Sequence, residues 1–72
     1  MSRITLHGVE DEMLTFHQGG KYLETLYASC PEQARDFEAA NKGRTFQNSN
    51  ALLSAFTHFK ATWRSKYTDE YT

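Results

Sequence analysis

Three histidines, one cysteine and a run of three consecutive carboxylates are the side chains of this 72-residue chain with chemistry to offer. His7, His17, Cys30 and His58 are the only thiol and imidazole ligands. Zinc sites are built from close pairs such as C-x2-C and H-x3-H, and gaps of 10, 13 and 28 positions between these four match no such spacing. His7 and His17 fall in segments that read as strands able to pair, so two ligands could meet, but no metal site is expected. Cys30 stands beside Pro31 and reads as a packed or bystander thiol rather than a nucleophile. Acid–base catalysis needs two groups held in opposed environments. Glu10, Asp11 and Glu12 instead read as one acidic turn. Its functional reading is a small negative patch that docks on a basic protein surface or imitates phosphates. Gly19-Gly20 lacks the Gly-Lys-Ser/Thr ending of a phosphate loop, so no cofactor is expected.

The cations suggest a second chemistry. Residues 1–40 hold three basic and seven acidic side chains, whereas residues 41–67 hold five basic side chains and no acid. Asp69 and Glu70 bring the net charge to −1. Arg44, Lys60, Arg64 and Lys66 could form a nucleic-acid-binding flank. Affinity for a nucleic acid grows with the number of phosphates neutralised, however, and eight basic residues in a net-negative chain are few. Nucleic-acid binding is therefore the alternative reading.

The elements that must position these residues are legible in outline. Residues 1–72 read as one small α+β domain, with residues 68–72 a frayed tail. Arg3 to His7 alternates apolar and polar, as a short strand does, and Gly8 ends it. Apolar and β-branched runs on either side of Gly19-Gly20 predict an antiparallel hairpin over about 13–28. A helix over about 31–42 is marked by Ser29 and Glu32 at capping-box spacing and by Gly43 at its far end. Arg44 to Gln47 is a connector or one short strand. Asn48, Ser49 and Asn50 offer caps for a second helix over about 50–66. The sheet is expected to be small, antiparallel and packed by the two helices.

The second helix separates into faces. Leu52, Phe56, Phe59, Trp63 and Tyr67 recur at helical spacing and are expected to form core. Lys60 and Arg64 lie on the flank beside them with Leu53, where cationic stems can lie along the edge of the core. Ala51, Ser54, Ala55, Thr57, Ala61, Thr62 and Ser65 make a small neutral face around His58. That face would fit the first helix or a partner, and a homodimer through it is not excluded.

Size and cysteine usage narrow the function classes. A chain this short supports a stability margin of only about 3–5 kcal/mol and has little material for the walls of a catalytic cleft. One cysteine excludes an internal disulfide, and the start lacks the apolar run of a signal peptide, so a reducing cytoplasm and no membrane are expected. A non-enzymatic protein-binding module follows, with Glu10, Asp11, Glu12 and the hairpin rim as interface and Tyr71 as a spare aromatic anchor. In size and make-up the chain resembles the short proteins with which bacteriophages bind host machinery, including small inhibitors of host RNA polymerase. That resemblance implies a host protein complex as partner, and steric occlusion or competition as mechanism.

Overall fold

The computed structural model describes residues 2–64. Four strands and two helices follow one another as β1 (Ile4–Glu10), β2 (Met13–Gln18), β3 (Lys21–Tyr27), α1 (Pro31–Ala40), β4 (Thr45–Phe46) and α2 (Ser49–Thr62). The strands form one antiparallel sheet in the order β3-β2-β1-β4, packed by both helices, a small α+β fold.

The two hairpin turns have different origins. Gly19 and Gly20 take φ of 63° and 80°, the paired left-handed angles that a two-residue hairpin demands and that glycine adopts without a Cβ clash. The β1–β2 turn is Asp11-Glu12, with Asp11 itself at φ 53°. Aspartate is among the few side chains that tolerate this region. The Ala28 amide donates to the Glu12 carbonyl at 2.8 Å, fixing this turn against the chain that leaves β3.

β1 runs three residues past the expected 3–7 segment. Gly8 does not stop it. The pairing register slips between Leu6 and Gly8, leaving His7 as the extra residue of a bulge, and the strand continues to Glu10. A second slip, between Phe16 and His17, leaves Leu23 as the extra residue of β3.

The helix ends also differ from expectation. Ser29 and Glu32 form no capping box. Cys30 is the N-cap without a side-chain cap bond, Pro31 fills the first turn, and the Gln33 side chain takes the Ser29 amide at 2.8 Å. The residue before proline avoids helical angles, so Cys30 is extended, the helix begins at Pro31 one position too late for Ser29 to cap it, and buried Gln33 reaches back to Ser29 instead. α1 closes at Ala40 rather than 42, where Asn41 caps the Phe37 carbonyl through both its backbone and its side chain. Gly43, at φ 77°, shapes the turn that follows. At α2, Asn48 Oδ1 accepts the Ala51 amide at 2.9 Å, a true N-cap. α2 ends at Thr62, and Trp63 is extended.

The core lies between the sheet and the helices. Ile4, Leu14 and Phe16 from the strands meet Ala34 and Phe37 of α1, Phe46 of β4, and Leu52 and Phe56 of α2. Phe37 joins the layers, meeting Phe16, Phe56 and Phe59 edge to face at 6.5, 5.1 and 5.2 Å between ring centres. Such aromatic pairs add to the apolar area they bury. The predicted apolar stripe of α2 is thus core at Leu52 and Phe56 and half-buried at Phe59, but Trp63 is only half-buried and lies outside the helix. Tyr67 lies outside the described residues, as do Lys66, Ser65, Tyr71 and the 68–72 tail.

Candidate functional site

Successive side chains of a strand point to opposite faces, so the strand residues that alternate with the core must line the face without helices. Leu14 and Phe16 are buried, and Met13, Thr15 and His17 therefore face away from the helices. Register extends this face across the sheet. Thr45, Thr5, His17 and Tyr22 lie side by side in one row, Gly8, Thr15 and Thr25 in the next, and Glu10, Met13 and Tyr27 in a third.

This open face is rich in large side chains and poor in charge. Tyr22 and Tyr27 are 63% and 59% exposed, the two most exposed large apolar residues described. The Tyr22 hydroxyl is within hydrogen-bonding distance of Thr25 Oγ1, at 3.1 Å, which helps hold its ring along the sheet. His7 and His17 lie flat against one another, with ring centres 3.8 Å apart and planes 6° from parallel. Thr5, Thr15 and Thr25 fill the ground between the rings. Arg3 is spent on a hydrogen bond to Thr45 Oγ1.

The acidic residues expected to form an interface stand at one corner of this face. Glu10 ends β1, and Asp11 and Glu12 make the turn; all three are exposed. Glu10 pairs across the ladder with Met13, and Met13 with Tyr27. Glu10 thus stands in the same row as exposed Tyr27 with Met13 between them, and Asp11 and Glu12 follow in the adjoining turn. The acidic turn and the hairpin rim are expected from the sequence to form the interface, but the open face beside them is not. The signal was present in the alternation Met13-Leu14-Thr15-Phe16-His17, which assigns every second residue to one side.

The cations named for the alternative reading do not converge. Arg44 lies over the Phe46 ring at 4.9 Å and donates to Asn41 Oδ1 at 3.0 Å. It borders the groove lined by Ala51, Ala55, His58 and Thr62 of α2. Lys60 lies over the Phe56 ring at 5.5 Å, on the flank of α2 away from that groove, and Arg64 is exposed beyond the end of the helix. Cation–π contacts of this kind favour the core edge over a phosphate. Lys66, the fourth cation, and Tyr71, the expected anchor, lie outside the described residues.

The small neutral face of α2 is not taken up by α1. Ala51, Ser54, Thr57, His58, Ala61 and Thr62 are exposed, and only Ala55 is half-buried. The two helices meet through Phe37, Phe56 and Phe59 instead. Among the described residues no helix is long and apolar enough to cross a membrane. Comparison of the chain with protein-family models, with curated proteins and with solved structures finds no match.

Proposed function

We propose that the chain is a non-enzymatic protein-binding module whose interface is the open face of the sheet together with the acidic corner Glu10, Asp11 and Glu12. The observation that carries this reading is the exposure of Tyr22 and Tyr27 on the face of the sheet away from the described helices, with Glu10 in the row of Tyr27 and Asp11 and Glu12 in the turn beyond it. Tyrosine is enriched at interface hot spots because it presents a large, stiff, amphipathic surface at low entropic cost. A neighbouring carboxylate cluster steers a basic protein surface toward the face and discourages phosphates. The partner is a protein with a positively charged rim around an apolar patch. A host transcription complex, with RNA polymerase foremost, is the target class carried over from the resemblance to small phage proteins. The mechanism is occlusion of a surface that a host factor would otherwise use.

The test is capture from nuclease-treated bacterial lysate by the tagged chain, in parallel with a Tyr22→Ala, Tyr27→Ala variant and a Glu10→Lys, Asp11→Lys, Glu12→Lys variant. One protein retained by the parent and lost from both folded variants supports the reading. Equal retention by all three would end it. Retention of nucleic acid alone, falling steeply with salt, would favour the Arg44, Lys60 and Arg64 alternative.

A further inference from the structure

The two edges of the sheet are unlike. β4, at one edge, is two residues long and is linked through Thr45 to Arg3. β3, at the other, runs seven residues without a proline. It is also the one strand of the four that holds no buried residue. Leu23 and Leu26 touch the core from its margin and stay half-buried. Native sheets shorten, charge or cover such edges, because their free N–H and C=O groups pair with another chain. The bulge at Leu23 disturbs only the half of β3 nearest the Gly19-Gly20 turn, and pairing with β2 is regular from Glu24 to Tyr27.

The direction of the free groups follows from one bond. The Ala28 amide points inward, to the Glu12 carbonyl. Residues of an antiparallel strand turn their backbone groups alternately toward and away from the neighbouring strand. Thr25 and Tyr27 therefore direct theirs outward, and Leu26 directs its own to β2. Among the described residues no backbone bond outside the sheet ladders uses β3.

We propose that two copies of the chain pair antiparallel through their β3 edges, about a two-fold axis at Leu26. This register sets Thr25 of each copy opposite Tyr27 of the other, so the outward groups of both residues all find partners. An axis at Thr25 would instead set Tyr27 against the bulge residue Leu23. An axis at Tyr27 would set Thr25 against Ser29, whose amide already donates to the Gln33 side chain. With the axis at Leu26, Glu24 lies opposite Ala28 and no like charges meet. The two Leu26 side chains face each other at a close, non-hydrogen-bonded position, which joins the margins of the two cores. On the open face Tyr27 covers Thr25 of the second copy, an aromatic and β-branched pair that favours the ladder. The inference uses the edge of the sheet and not its open face, and it is independent of the proposed partner.

The test is sedimentation equilibrium of the purified, untagged chain from micromolar to millimolar concentration, with amide hydrogen exchange followed by NMR. The expected result is a two-chain mass at the upper end that falls to one chain on dilution, with the Thr25 and Tyr27 amides protected only in the dimer. Thr25→Pro removes an amide that β2 does not use and should give a folded monomer. Thr25→Val keeps that amide and should still dimerise, as should Thr57→Arg on the exposed face of α2. A one-chain mass throughout, a dimer whose Thr25 and Tyr27 amides exchange freely, a dimer that survives in folded Thr25→Pro, or one broken by Thr57→Arg would each overturn the proposal. If Thr25→Pro does not fold, the mass and exchange pattern of the parent chain decide alone.

Discussion

Trp63 Nε1 donates to Asp36 Oδ2 at 2.8 Å, tying the residue that ends α2 to the exposed side of α1. The bond explains why an aromatic at core spacing is not core. The helix stops one residue earlier, and the indole lies across the helix pair instead of under it. Trp63→Ala should therefore cost only about 1–2 kcal/mol, the scale of one partly exposed hydrogen bond and some lost packing. Urea unfolding should show a lower midpoint from a protein that is still folded in water. Asp36→Asn, which keeps an acceptor, should lose less.

Phe37 carries far more. It is fully buried and touches rings from β2 and from two positions of α2. Phe37→Ala should cost about 3–5 kcal/mol, which matches the whole margin expected of so small a core. Circular dichroism should find this variant largely unfolded at 25 °C, and Phe37→Leu should remain folded with a lowered melting temperature.

The glycines should separate by backbone angle. Gly20→Ala meets no atom within 4 Å, so its cost is the left-handed angle itself, about 1–2 kcal/mol. Gly8→Ala also enters open space, at a residue whose φ is not positive, and should be neutral or stabilising by up to about 1 kcal/mol. Thermal melts of the two variants should move in different directions, or the second not at all.

These contrasts also show what could be read from the chain. The Gly19-Gly20 turn was legible because two adjacent glycines mark an angle that other residues avoid. Gly8 was misread for the converse reason. A lone glycine is equally a strand end or a bulge, and pairing with β2 decides which. Ser29 and Glu32 had capping-box spacing, but Pro31 removed the geometry it serves and Gln33 reached back instead. α2 carried no stop signal before Trp63, so its end was set by tertiary contacts. Of the candidate site, the acidic turn was visible in three consecutive letters. The tyrosines beside it were not, because their exposure depends on both helices packing against the opposite side of the sheet.

Asp11 allows stability and binding to be separated. It is the only described non-glycine residue at positive φ. Asp11→Gly removes the side chain where glycine fits the angle better, so the fold should hold or gain by up to about 1 kcal/mol. Partner affinity should nevertheless fall, and Asp11→Lys should lower it further. The two variants can be compared by melting temperature and by binding to the captured partner at low and moderate salt.

On the proposed reading, the face of the sheet away from the described helices meets the partner, and α2 does not. The most direct measurement is site-specific photocrosslinking in bacterial lysate, with the photoreactive residue placed at Tyr27 in one protein and at Thr57, exposed on α2, in another. Position 27 should give one discrete adduct to a single protein, suppressed by excess unlabelled chain, and position 57 none. An adduct from position 57 with position 27 silent would contradict it and move the interface to the small neutral face of α2.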